Sequence, residues 1–118
     1  MSGPKRGEIW LVNLNPTKGQ EIQKTRPAVV ISADFLGKIG LRIAIPVTSW
    51  QDKFYDRPFM VKIIATSKTG LRQASAGNVL RVRSLSTERF VKKLGKVSPE
   101  ILNELLAGLA ICTDYASE

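Results

Sequence analysis

This chain predicts a mainly β fold with a C-terminal helix, and three observations carry the prediction. Short runs rich in β-branched residues recur between turn material such as Gly37-Lys38-Ile39-Gly40 and Thr69-Gly70. One of them, Ala28-Val29-Val30-Ile31, is continuously apolar and reads as a strand buried on both faces. The final segment then changes to helical spacing, with Ile101, Leu102, Leu105, Leu106, Leu109 and Cys112 along one stripe. Short strands so spaced favour a small barrel over an open parallel sheet. A chain of 118 residues fits a single domain, 1–118, without repeats, linkers or low-complexity segments.

Five strands are expected. The first, 8–13, alternates through Ile9 and Val12 and is broken by Asn15-Pro16, because proline fixes its own φ and pushes the preceding residue toward extended geometry. Residues 17–25 hold seven polar side chains and a glycine, with Ile22 the one apolar residue, and read as a polar, flexible loop. The other strands are expected at 28–32, 41–48, 59–64 and 79–85. Residues 86–94 suit a short helix capped by Ser86 or Thr87. The terminal helix starts at Ser98-Pro99-Glu100: a capping serine, proline at the first helical position and an acid in the first turn. Its stripe is read as core, and Cys112 on that stripe as a buried structural thiol.

Charge is distributed unevenly. The net value is +8, yet residues 1–96 carry all 18 Lys and Arg against six acids, Glu8, Glu21, Asp34, Asp52, Asp56 and Glu88. The last 22 residues hold four acids and no base. A basic body points to a polyanion, nucleic acid above all; the plainer alternative is charge for solubility. No apolar run approaches the roughly 18 residues of a membrane span, and no signal-peptide pattern opens the chain, so a cytoplasmic protein with no membrane partner is expected.

Several chemistries are excluded. With no histidine and one cysteine, neither a zinc site nor a cysteine–histidine pair can be built. The acids are scattered, unlike the cluster a two-metal nuclease needs, and phosphate-binding glycine loops are absent. No metal and no cofactor are expected.

One candidate stands out. Arg26 lies between the polar loop and the buried strand, where a rigid strand would hold its stem and leave its fork to face whatever the loop covers. A guanidinium stays protonated and presents five donors, which suits phosphate. Arg6-Gly7-Glu8-Ile9, Asn15-Pro16, Gly19-Gln20-Glu21 and Thr25-Arg26-Pro27 are similar to the MazF/PemK family of toxins. So are Ile45-Pro46-Val47-Thr48-Ser49, Val82-Arg83-Ser84-Leu85 with Arg89, and the amphipathic terminal segment. The resemblance runs from about Lys5 to Leu109, and its motifs, weak singly, occur in the family's order.

That resemblance implies an SH3-like barrel of the CcdB/MazF/PemK type. It implies the toxin of a toxin–antitoxin pair, a homodimer acting as a sequence-specific endoribonuclease on single-stranded mRNA. It also implies a cognate antitoxin that lays an acidic, disordered tail in the RNA groove. Arg26 and Thr48 match the family's catalytic pair: Arg26 for the scissile phosphate, Thr48 to hydrogen-bond that phosphate or orient Arg26. Glu21 matches a family glutamate and is read either as general base or as a structural partner of Arg26. Taken alone, Arg26 reads as a surface cation whose stem packs over the barrel, and Thr48 as an ordinary strand residue.

RNA contacts are expected from Lys18 and Lys24 in the loop, from Ser49 beside Thr48, and from Arg81 and Arg83. Strand alternation would place those two arginines on one face, opposite Leu80 and Val82. The family commonly has an acid and a glutamine where Leu80 and Arg81 stand, a departure bearing on base preference. Trp50 is read either as a base-stacking residue or as packing, and Trp10 as core or subunit interface. Two competing functions remain: gyrase inhibition without catalysis, as in CcdB toxins of the same fold, and passive nucleic-acid binding.

Overall fold

A computed structural model describes residues 3–14 and 25–115. Its seven antiparallel strands are β1 Glu8–Asn13, β2 Thr25–Val30, β3 Leu41–Ser49, β4 Met60–Ile63, β5 Ser75–Asn78, β6 Arg83–Ser86 and β7 Phe90–Lys96, followed by helix α1 Pro99–Cys112. The path runs β4-β5-β3-β2-β1-β7, with β6 paired to β3. The sheet is barrel-like but does not close.

Seven strands stand where five were expected, and β3 accounts for the separation of β5 from β6. Strand β3 is nine residues long and changes neighbour along one side: Leu41 to Ala44 pair with β6, and Val47 to Ser49 pair with β5. The chain between β5 and β6 must therefore step away opposite Ile45 and Pro46. It does so as a 3-10 turn, Val79–Arg81, closed by the Val82 N–H on the Val79 carbonyl at 3.1 Å. The single strand expected at 79–85 is thus a turn followed by a short strand. The helix expected at 86–94 is also corrected. Ser86 does cap, its Oγ accepting the Glu88 N–H at 3.2 Å, but only for the turn Thr87–Arg89. From Phe90 onward the chain pairs with β1, and this tertiary pairing overrides the local signal.

Register divides the sheet into two faces. Ile9, Val29, Ile45 and Val47 point toward α1 and form the main core with Leu105, Val79 and Ile63. On the other face Val12, Ala28, Ala44 and Leu85 make a smaller cluster with Trp10 and Phe90. Residues 28–31 are buried on both faces for this reason. Trp10 is a packing residue: it meets Phe90 edge-on at 6.0 Å and donates its Nε1–H to Glu8 at 2.9 Å.

Helix α1 begins as its sequence requires. Ser98 Oγ accepts the Ile101 N–H at 3.2 Å, with Pro99 at the first position. Gly108 lets the helix approach Pro58 and Val79 closely, since a Cβ there would meet the Pro58 carbonyl at 3.2 Å. Cys112 is exposed, contrary to expectation. It lies one turn past Gly108, the last buried residue of the helix. No described helix is long and apolar enough to cross a membrane.

Candidate nucleic-acid groove

A groove on the face away from α1 is lined by Pro46, and a second proline, Pro27, lies in the neighbouring strand. Pro27 sits where β2 pairs with β1 alone, since pairing to β3 begins at Ala28. Pro46 pairs with Ala28 on one side and, on the other, falls in the gap between β6 and β5. Proline lacks an N–H, so both occupy places where a donor is not needed on that side. The registers Ala28↔Pro46, Val29↔Ile45 and Val30↔Ala44 fix the alternation that turns Arg26 and Thr48 to one face of the sheet. Both side chains line the groove, whose volume is about 1010 Å³.

Arg26, Arg57, Arg81 and Arg83 supply its charge, and no carboxylate lines it among the described residues. The Arg26, Arg81 and Arg83 guanidiniums have no hydrogen bond or ion pair within the described chain. Other arginines are used structurally. Buried Arg42 donates to the carbonyls of Pro4, Ile39 and Leu41 at 2.8, 2.8 and 3.0 Å, and Arg89 donates to the Asn13 carbonyl at 2.9 Å. The basic composition thus divides into arginines that hold loops and arginines left free to meet an anion.

The apolar part of the lining comes from Phe54, Phe59, Met60 and Leu80. Phe54 and Met60 are nearly buried, whereas Leu80 is 60% exposed. Leu80 therefore does not lie on the face opposite Arg81 and Arg83 as strand alternation required; it lies in the 3-10 turn and lines the same groove, while Val79 is buried. Arg81 and Arg83 still share the groove, brought there by the turn and by the pairing of Arg83 with Ala44.

Thr48, half-buried in β3, lies opposite Ala76. Ser49 is exposed beside the groove, its Oγ accepting from Gln73 Nε2 at 2.7 Å. Trp50 packs edge-on against Phe54 and Tyr55 at 5.5 and 5.0 Å, with the Lys62 ammonium 5.1 Å from its ring centre. Neither Ser49 nor Trp50 is part of the lining. Glu21, Lys18 and Lys24 lie outside the described residues. No group of three or more His, Cys, Asp or Glu is placed to hold a metal among the described residues.

Sequence reading missed Arg57 and Asn78. Arg57-Pro58 repeats the arginine–proline order of Arg26-Pro27, a signal that was present. The Arg57 guanidinium carbon stands 5.8 Å from the centre of the Phe54 ring. Asn78 ends β5, and its Oδ1 accepts the Leu80 N–H at 3.2 Å.

The family pattern described as a PemK-like, MazF-like toxin of type II toxin–antitoxin systems matches residues 5–113. The chain belongs to this toxin family. It is 38% identical to endoribonuclease MazF9 of Mycobacterium tuberculosis over 119 aligned residues, covering 96% of this chain and 98% of that protein. It is 33% identical to the endoribonuclease toxin MazF of Escherichia coli K12, covering 92% of each. Among solved structures, a MazE–MazF crystal structure from Deinococcus radiodurans superposes with a TM-score of 0.79 at 27% identity, covering 98% of this chain and 100% of that one. MazF alone from the same organism gives 0.76 at 28% identity, covering 97% and 99%. The barrel-like toxin fold, the α1 placement and the toxin–antitoxin assignment therefore agree.

Proposed function

We propose that this toxin is a sequence-specific endoribonuclease that cuts single-stranded mRNA without a metal ion. The groove that holds Arg26 and Thr48 together with three further arginines is the observation that carries this reading. Membership of a toxin family whose matched relatives are named endoribonucleases supports it.

RNA brings its own nucleophile. The ribose 2′-oxygen attacks the adjacent phosphorus as its proton leaves, the P–O5′ bond breaks, and the departing 5′-oxygen takes up a proton. The products are a 2′,3′-cyclic phosphate and a 5′-hydroxyl. The protein must align these groups and stabilise charge on the phosphorane oxygens. Arg26 binds the scissile phosphate and opposes its added charge, and Thr48 donates its hydroxyl proton to the phosphate or orients Arg26. An arginine is a poor base, with a pKa above about 12. Glu21, four residues before Thr25 in sequence, is the carboxylate proposed to take the 2′ proton, or else to steady Arg26.

Arg81 and Arg83 hold flanking phosphates, with Lys18 and Lys24 adding charge from the preceding segment. Ser49 and Trp50 meet RNA at the groove's rim. A cognate antitoxin with an acidic, disordered tail would fill the same positive groove. A second copy of the chain is the remaining partner. Phe35, Ile39, Leu41 and Ile43 are large, apolar and exposed in one stretch that α1 does not cover, a surface suited to burial between subunits.

Incubation with a long RNA in excess EDTA tests the reading, with the new 5′ ends mapped by sequencing. Cutting at recurrent sites is expected. Gyrase inhibition without cutting, or retention of RNA without cutting, would replace this function with one of its two competitors.

A further inference from the structure

The polar wall of the groove consists almost entirely of hydrogen-bond donors. Its four arginines can only donate, and the Thr48 hydroxyl can act either way. Asn78 is the lining side chain that offers both kinds of group, and its orientation is fixed. Its Oδ1 accepts the Leu80 N–H at 3.2 Å, an arrangement the reversed amide could not make. The Nδ2 group is left without a protein partner among the described residues. Two residues on, Leu80 presents an apolar surface, 60% exposed, to the same groove.

We propose that Asn78 and Leu80 form a nucleobase subsite that selects keto bases, uracil and guanine, over the amino bases cytosine and adenine. The inference rests on the RNA-cutting reading and adds its base preference. Uracil O4 and guanine O6 are acceptors and can accept a hydrogen bond from Asn78 Nδ2. Cytosine and adenine carry exocyclic amino groups at the corresponding edge, and these need an acceptor. None of the charged side chains in the described lining supplies one. Reading adenine with both ends of an asparagine amide requires Oδ1 to be aimed at the base, and here that oxygen is turned to the Leu80 N–H. Leu80 lies against the face of the base, where it contributes contact but no discrimination between edges. The neighbouring guanidiniums reinforce the selection, since a donor edge would face a wall of donors.

Uracil and cytosine differ at this edge, so 2′-O-methyl oligouridylate and oligocytidylate make the test, being resistant to 2′-hydroxyl attack. Wild-type protein should bind the first about tenfold more tightly than the second, the scale of one well-placed base contact. Asn78→Asp keeps an acceptor for the Leu80 N–H but replaces the Nδ2 donor with oxygen. Its added charge weakens both oligonucleotides, so the readout is their ratio, which should fall below one. Asn78→Ser also retains a capping oxygen but is too short to reach the base, and its ratio should approach one. Leu80→Ala should weaken both ligands alike.

A wild-type preference for oligocytidylate, or a ratio unchanged in both Asn78 variants, would overturn the subsite. Cleavage mapping on a long RNA separates this from the parent reading. Absence of cutting alongside the expected binding ratios would remove the nuclease and keep the subsite. Cutting with identical site preferences in wild type and Asn78→Asp would keep the nuclease and remove the subsite.

Discussion

Arg26 and Thr48 line one groove, on the sheet face set by the pairing of Ala28 with Pro46. The two strands carry the register through small residues, Ala28 and Ala44, on the face that also bears the groove. Alternation then fixes which residues point where: Val29, Ile45 and Val47 enter the core under α1, while Arg26, Pro46 and Thr48 face away from it. A one-residue slip would bury the arginine and expose the valines. The placing of Arg26 and Thr48 on one face and the hydrophobic core on the other are thus enforced by one register.

Arg26→Ala and Thr48→Ala should each lower RNA cutting by about 10²–10³, the usual loss when one positioned electrostatic donor is removed. Arg26 is exposed and Thr48 half-buried, so thermal unfolding should change little in either variant. Arg26→Lys should recover only part of the rate, because an ammonium cannot reproduce a two-pronged guanidinium contact. Near wild-type rates in both alanine variants would place the chemistry elsewhere in the groove.

A substrate with deoxyribose or 2′-O-methylribose at the mapped cut should resist cleavage while still binding. With ordinary RNA the products should be a 2′,3′-cyclic phosphate and a 5′-hydroxyl, identified by end-group labelling and mass. Efficient cutting of the blocked substrate would show that a water or a protein group attacks instead.

Much of this was legible from residue order. The apolar run 28–31, the Ser98-Pro99 helix start and the strand through Thr48 all appear as read, because local propensity and tertiary pairing agree there. The misreadings occur where pairing decides. Residues 79–85 carry a strand-like alternation, but β3 gives one side to two different partners, and the chain between them has to turn. Residues 90–96 were drawn into a strand by β1, a partner some eighty residues earlier in the chain. Arg42 shows the same limit for charge: nothing local marks it as the buried donor that binds four carbonyls. Nor did residue order reveal Asn78, whose role depends on the turn it caps.

Arg81→Ala with Arg83→Ala should weaken RNA binding more than it slows cutting at saturating RNA. Both arginines line the groove with no partner in the described chain, and the pair adjoins Asn78 and Leu80 more closely in sequence than Arg26. For single strands, removing one phosphate-binding cation should reduce the slope of log affinity against log salt by about 0.7. Titration of a non-cleavable RNA at several salt concentrations measures this. An unchanged slope in the double variant would mean that neither arginine touches phosphate. Arg57→Ala offers an internal comparison, because its guanidinium is already set against Phe54 and should contribute a smaller change.

Glu8 makes the fold sensitive to acid at the β1–β7 seam. Burial raises its pKa, but three interactions outweigh that effect: the Trp10 Nε1–H, the Lys5 N–H and the Lys93 ammonium, which together hold the carboxyl below its ordinary value of 4.5. The first two donate to Oε1 at 2.9 Å each, and Lys93 lies 3.0 Å from Oε2. A carboxylate with a lowered folded-state pKa stabilises the protein above the unfolded value, and that contribution disappears as pH falls through the folded value. Glu8→Gln should therefore cost stability at neutral pH, on the order of 1 kcal/mol, mostly through the hydrogen bonds to a charged acceptor. The ion pair adds little, since Lys93 is 49% exposed and well solvated. Denaturant unfolding of both proteins from pH 7 down to about pH 3 checks the sign: the gap between them should be largest at pH 7 and close below pH 4.5. A gap that widened on acidification would mean that the neutral carboxyl, not the carboxylate, is the form the fold prefers.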